Sequence, residues 1–129
     1  MSNRYKQFII FAEEDLRSAG ILLKEEIFNQ VCFHSQQAAE KSLKSFIKFR
    51  RRLVPKIHNL SELLKICQEY EPSFRNMEDG CRYLDRFYIP TRYPEAFVGT
   101  LPEGLPTKTE AKTALEYAED ICNFIKKHL

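Results

Sequence analysis

The sequence predicts an all-α protein, an up-and-down bundle of four to five helices. Apolar residues recur at steps of three and four through most of the chain, which is the period of an amphipathic helix. The connections between the first helical segments are short, and short connections favour antiparallel neighbours. A chain of 129 residues supports one hydrophobic core, so we expect residues 1–129 to form a single helical domain.

The first two helical segments predict a hairpin. The first helix runs from about Asn3 to Ile27, and residues 28–30 form the turn into the second. We expect Pro55 to end the second helix, because proline lacks an amide hydrogen and disfavours helix in the residue before it. The second helix has one face of small and apolar residues, which are Val31, Cys32, Ser35, Ala38, Ala39, Ser42, Leu43, Phe46, Phe49 and Leu53.

The opposite face of the second helix gathers polar and basic side chains into an arc of roughly 120°. Its members are His34, Gln37, Glu40, Lys41, Lys44, Lys48, Arg51 and Arg52. The arc is either a solvated face with contacts at i, i+4 spacing or a surface for phosphates and base edges. In the second case Lys41 and Lys44 contact phosphate, while His34 and Gln37 supply directional hydrogen bonds.

The next two helices follow from capping and breaking residues. Asn59 with Glu62 three residues later indicates a helix start, and Pro72 ends that helix. A fourth helix is predicted over residues 74–88, with apolar residues on one side and charged residues on the other.

Residues 89–106 interrupt the helical pattern with four prolines and two glycines, which exclude helix and disfavour strand. A loop of this length in a small domain is often functional. Arg92 offers a planar fork for phosphate, and Tyr93 offers a flat face for a base. The alternative is aromatic packing beneath a proline-rich loop. The last helix then opens with a capping box formed by Thr107 and Glu110.

Composition favours a reduced cytoplasmic protein. Lys and Arg total 20 against 18 Asp and Glu, so the net charge of +2 does not by itself predict nucleic-acid binding. The four cysteines form no C-x-x-C pair and no histidine has metal-ligand spacing to them. We therefore expect buried thiols, no metal and no cofactor. With no leader and no apolar run of about 18 residues, no membrane association is predicted.

A basic run and a histidine lie between the second and third helices. Arg51 and Arg52 precede His58 within the same short segment. One interpretation is a basic helix end favoured by the helix dipole. The other is an RNA-cleaving pair, in which a histidine moves the 2′-hydroxyl proton and an arginine stabilises charge on the phosphate.

Four segments occur in the order found in a known family. They are residues 15–19 (Asp-Leu-Arg-Ser-Ala), 34–44 (His-Ser-Gln-Gln-Ala-Ala-Glu-Lys-Ser-Leu-Lys), 58–60 (His-Asn-Leu) and 91–95 (Thr-Arg-Tyr-Pro-Glu). The sequence thereby resembles the HEPN domain, the higher-eukaryote and prokaryote nucleotide-binding domain, over about residues 11–124. The resemblance implies an up-and-down helical bundle that is often dimeric.

The resemblance also implies a functional context. Many HEPN proteins are encoded beside a minimal nucleotidyltransferase, and the two can act as a toxin–antitoxin pair. Several branches cleave RNA without metal through an arginine followed four to six residues later by a histidine. Here Arg52, or Arg51, with His58 resembles that pair. The family motif usually lies later in the bundle, where this chain has Arg92 and Tyr93.

Three hypotheses follow, in this order. The first is a homodimeric HEPN protein, acting with a minimal nucleotidyltransferase, that binds nucleotide or single-stranded RNA through His34, Gln37, Lys41, Lys44, Arg92 and Tyr93. The second is a metal-independent endoribonuclease toxin that uses His58 with Arg52 or Arg51. The third is a non-catalytic adaptor, with the small residues of the second helix facing a second subunit.

Overall fold

A single central helix contacts most of the other helices of the structure. The computed structural model describes residues 4–88 and 97–129. Within them lie five α-helices: α1 (Arg4–Lys24), α2 (Phe28–Phe49), α3 (Leu60–Tyr70), α4 (Glu78–Asp85) and α5 (Lys108–Lys126). A 3₁₀ segment, Pro72–Met77, leads directly into α4. α2 packs against α1, α3, α4 and α5, so the predicted all-α bundle is confirmed.

α1 and α2 form the expected antiparallel hairpin. The Ser45 hydroxyl near the end of α2 donates to the carbonyl of Tyr5 near the start of α1, at 3.0 Å. The turn occupies residues 25–27, not residues 28–30 as predicted, and Phe28 already begins α2. The chain reverses at Glu26, whose φ of 62° is uncommon for a residue other than glycine.

α2 ends at Phe49, six residues before Pro55, so the predicted end was wrong. Arg51 adopts a φ of 62°, and its amide donates to Lys48 O at 2.9 Å. The amide of the next residue donates to Ile47 O at 3.2 Å, which completes a Schellman-type helix end. Because the helix stops there, Leu53 is not on the apolar face and is 87% exposed.

The locally encoded helix ends are confirmed. The Asn59 side chain accepts from the amide of Glu62 at 2.8 Å, and α3 stops before Pro72. α5 opens with a complete capping box between Thr107 and Glu110. The predicted fourth helix differs, since its first turns are the 3₁₀ segment and α4 ends at residue 85.

Residues 97–101 are attached to the start of α2. The Asn29 side chain donates to the carbonyl of Val98 at 3.5 Å, and Leu101 is buried in the core. Gly99 has a φ of 74° and packs directly on the Asn29 carbonyl, where a side chain has no room. Residues 97–106 are irregular apart from an isolated bridge between Leu101 and Gly104, while residues 89–96 lie outside the described residues.

The cysteines are free thiols in the core, as expected. Burial raises the pKa of Cys32 and of Cys67 to about 12. Cys122 receives a hydrogen bond from the Ser42 hydroxyl at 2.9 Å, and burial raises its pKa to about 11. Because thiolate is the reactive form, these residues are packing groups.

Candidate functional site

The first part of the α2 polar arc faces α1 and meets a buried carboxylate. Asp15 of α1 is 8% exposed. Its Oδ1 lies 2.8 Å from His34 Nδ1, and its Oδ2 accepts from Lys41 Nζ at 2.5 Å. A carboxylate only accepts, so His34 donates from Nδ1. His34 and Lys41 therefore share an internal partner, and the charge of Lys41 is compensated within the hairpin.

The second part of the arc is organised by Glu40, which is 6% exposed although periodicity placed it at the surface. Glu40 Oε2 lies 2.9 Å from both Lys44 Nζ and His58 Nδ1. Glu40 Oε1 accepts from Gln36 Nε2 at 3.2 Å, and Gln37 donates to Gln36 Oε1 at 2.7 Å. These five residues form one connected set of hydrogen bonds, which we call the α2 polar network.

His58 is the most accessible member of the α2 polar network. Its side chain is 50% exposed, and its ring centroid lies 5.1 Å from that of Tyr88. Because Glu40 accepts from Nδ1, the neutral imidazole carries its lone pair on Nε2. A histidine held in this way can accept a proton at Nε2.

An open cavity of about 340 Å³ lies beside His58 and joins the segment before α3 to the end of α4. Its lining residues are Lys56, Ile57, His58, Asn59, Glu62, Asp85 and Tyr88. We call this cavity the His58 pocket. It combines one aromatic pair, two carboxylates, a primary amine and an amide, which is a set suited to a small polar ligand.

Asp85 fixes the wall of the His58 pocket by capping α3 from another helix. Its Oδ1 accepts from the amide of Leu60 at 2.7 Å. Its Oδ2 accepts from the amide of Ser61 at 3.2 Å and from the hydroxyl of Ser61 at 2.8 Å. Burial outweighs these hydrogen bonds and raises the pKa of Asp85, and burial also raises the pKa of Tyr88. Asp85 therefore has a structural role, because both of its oxygens accept hydrogen bonds from the start of α3.

Arg52 is not brought to His58. Arg52 Nη1 donates to Glu69 Oε1 at 2.9 Å, in the last turn of α3. His58 precedes the first turn of the same helix, whose 11 residues span about 16 Å at 1.5 Å per residue. Arg51 is exposed at the C-terminal end of α2. The predicted Arg–His pair is thus divided between the two ends of α3.

The other predicted binding residues fall into separate groups. His34 and Lys41 contact Asp15, whereas Gln37 and Lys44 belong to the α2 polar network. One contact at the expected i, i+4 spacing is present, between Glu40 and Lys44, whereas Gln37 donates to its neighbour Gln36. Arg92 and Tyr93 lie outside the described residues.

Sequence reasoning gave no role to Asp15, Asp85 or Tyr88. Asp15 carried a usable signal, since it lies three residues after Ala12 and four before Ala19, both of which are buried. A carboxylate on the core-facing stripe of a helix needs a partner. Asp85 and Tyr88 had no local signal, because their contacts join residues 24 or more positions apart.

The described residues contain no metal-binding cluster and no membrane-spanning helix. In residues 4–88 and 97–129, no three side chains among His, Cys, Asp and Glu are grouped to hold a metal ion. None of the helices in those ranges has the length and apolar character that crossing a bilayer requires.

Comparison with known proteins gives one consistent family. The HEPN domain family matches residues 5–128. Putative toxin MJ1304 of Methanocaldococcus jannaschii is 34% identical over 132 residues, which cover 96% of this chain and 87% of that protein. TT1696 from Thermus thermophilus has a crystal structure that matches with a TM-score of 0.83 and 31% identity, over 99% of this chain and 100% of that one. ST0689, an archaeal HEPN homologue, matches with a TM-score of 0.78 and 28% identity, over 98% of each chain.

Proposed function

Because the chain belongs to the HEPN domain family, we propose that it is a toxin-like member that binds nucleotide or single-stranded RNA. The similarity to Putative toxin MJ1304 supports the toxin-like part. The observation that carries the binding part is the His58 pocket, where the half-exposed His58 ring lies against Tyr88.

The chemistry of the pocket suits a nucleotide in two respects. Aromatic faces such as those of Tyr88 and His58 stack on bases, which contributes about 1–3 kcal/mol per base. Lys56 in the pocket lining supplies positive charge for phosphate.

The binding proposal is tested by fluorescence anisotropy with a labelled single-stranded RNA. One phosphate contact, at Lys56, predicts that log K falls with log salt at a slope of about −0.7. Replacing Lys56 by Ala should reduce that slope by about 0.7. Lys112→Ala is the matched control, because Lys112 is an exposed lysine of α5. A slope that is flat for the wild-type protein would refute the electrostatic part of the proposal.

A second candidate function is metal-independent RNA cleavage, and the Glu40–His58 contact favours it. His58 Nε2 would take the proton of a 2′-hydroxyl as the 2′-oxygen attacks the phosphorus, and the P–O5′ bond would break as the imidazolium returns the proton to the 5′-oxygen. Glu40 stabilises that imidazolium. Arg52, a charge stabiliser expected from sequence, is bonded to Glu69 at the other end of α3 from this imidazole. Lys56 lines the same pocket as His58 and is the candidate for that role.

Cleavage is tested with labelled single-stranded RNA in EDTA. Wild-type protein should cleave and His58→Ala should not, whereas His128→Ala should retain activity because His128 bonds the carbonyl of Phe124 in α5. Full cleavage by His58→Ala would refute the assignment. Absence of cleavage by every variant would leave the binding function alone.

The proposal includes a homodimer and a minimal nucleotidyltransferase as partners. Ser35, Ala39 and Ser42 are buried in the chain's own core, so the small-residue face of α2 is not available to a second subunit. The apolar surface that remains on α1 includes Ile10 and Ile21, which are 54% and 58% exposed. Sedimentation velocity at micromolar concentration should give a dimer for the wild-type protein and a monomer for Ile21→Lys. The boundary should shift again when purified nucleotidyltransferase is added, and a monomeric wild-type protein would refute the homodimer.

A further inference from the structure

The first turn of α3 presents two polar side chains to the His58 pocket. Asn59 and Glu62 both line it, and their i, i+3 spacing puts them on one face of the helix. Asn59 Oδ1 accepts from the amide of Glu62 at 2.8 Å, so the donor of this amide side chain is its Nδ2. Among the described residues, no side chain donates to the Glu62 carboxylate. The pocket therefore offers one donor group beside a pair of acceptor oxygens.

Resting on the proposed function, we propose that the His58 pocket selects guanine among the bases. The Watson–Crick edge of guanine presents the O6 acceptor beside two donors, N1–H and the N2 amine. Asn59 Nδ2 would donate to O6, and the two oxygens of Glu62 would accept from N1–H and N2–H. Adenine and cytosine offer a carboxylate one exocyclic amine on this edge, and uracil offers one N3–H.

The rest of the lining agrees with a base in this orientation. Asp85 is already engaged with the start of α3, because both of its oxygens accept hydrogen bonds from that helix. The carboxylates of Glu62 and Asp85 repel phosphate. We therefore expect the base edge of a nucleotide, and not its phosphate, to contact this side of the pocket. Phosphate then lies toward Lys56, and the Tyr88–His58 pair supplies the flat face on which the base stacks.

Glu62 has an alternative role that concerns stability alone. An acidic residue in the first turn of a helix interacts favourably with the helix dipole. That role makes no distinction between bases. Base selectivity is therefore the readout that separates recognition by Glu62 from simple helix stabilisation.

The experiment is isothermal titration of the full chain with GMP, IMP, AMP and CMP. GMP should bind at least about tenfold more tightly than AMP or CMP, as expected for a bidentate pair. IMP, which lacks the N2 amine, should fall between GMP and AMP. Glu62→Gln should bring GMP and AMP within about threefold of each other. The matched control is Glu116→Gln, an exposed glutamate of α5, which should keep the wild-type preference.

Each outcome decides a separate point. Equal binding of all four nucleotides, or a preference that persists in Glu62→Gln, would overturn guanine selection while leaving nucleotide binding intact. If none of the four nucleotides binds, both the pocket as a nucleotide site and the proposed guanine selection are overturned. A urea titration of Glu62→Gln checks that the variant is folded, and Glu62→Asp provides a second variant that keeps both acceptor oxygens.

Discussion

Replacing Gly99 by alanine tests how residues 97–101 are attached to α2. A Cβ at position 99 would lie 1.8 Å from the carbonyl oxygen of Asn29, while such contacts essentially never fall below 3.0 Å. The two segments must therefore separate by about 1.2 Å. Asn29 is the second residue of α2, so its carbonyl belongs to a packed helix and cannot rotate away.

The expected cost has two sources. The φ of 74° at Gly99 costs alanine about 1–2 kcal/mol, because the left-handed region brings Cβ near the following carbonyl. Relieving the overlap costs about 1–3 kcal/mol more, as for other overpacked sites. It also weakens the Asn29–Val98 hydrogen bond and displaces the buried Leu101. The free energy of unfolding should fall by about 2–5 kcal/mol in total.

Urea unfolding followed by circular dichroism measures this loss as a lower midpoint at an unchanged slope. Gly104→Ala is the matched control, since its φ of 125° is also positive but nothing lies within 4 Å of an added Cβ. Its loss of stability should reflect backbone strain alone, because an added Cβ meets no other atom there. If Gly99→Ala lowered the free energy of unfolding no more than Gly104→Ala does, the close packing of Gly99 on Asn29 would not contribute to stability.

Three further predictions concern the core, the helix cap and the thiols. Leu43 is fully buried, so Leu43→Ala should lower the free energy of unfolding by about 2–5 kcal/mol in the same urea assay. A loss below about 1 kcal/mol would contradict its position in the core. Asp85 has a pKa raised above its ordinary 3.8, so wild-type stability should decrease as pH rises from 3.8 through the raised pKa. Asp85→Asn should flatten that part of the curve, and an unchanged curve would argue against this assignment. At pH 8 the native protein should not react with Ellman's reagent. In urea four thiols should react, which are those of Cys32, Cys67, Cys81 and Cys122. Rapid reaction of the native protein would contradict the burial of these thiols.

The starts of α3 and α5 were predicted well because their signals are local. The Asn59 cap and the Thr107–Glu110 capping box each involve residues three positions apart, and both are present. The end of α2 was missed because Arg51 carries the left-handed conformation, which composition normally assigns to glycine. The prediction relied on Pro55 as the residue that ends the helix, but α2 ends six residues earlier, at Phe49.

The candidate site was less predictable because periodicity gives the direction of a side chain and not its neighbour. The polar arc was interpreted either as a solvated face or as a surface for phosphates and base edges, yet Asp15 and Glu40 pair with several of its groups within the protein. His58 could be chosen from the sequence. Its contact with Tyr88 depends on how α4 packs, which no local pattern encodes.

The position of α5 in the chain has a consequence for synthesis. Ser42 and Cys122, whose side chains meet in the core, are 80 residues apart. At about 5–20 residues per second, a ribosome adds those 80 residues in roughly 4–16 s. For that time the α1–α2 hairpin lacks the helix that covers the small-residue face of α2. A second hairpin emerging nearby could offer its own α5 first, so exchange of this last helix between nascent chains is the misassembly that chaperones would have to prevent.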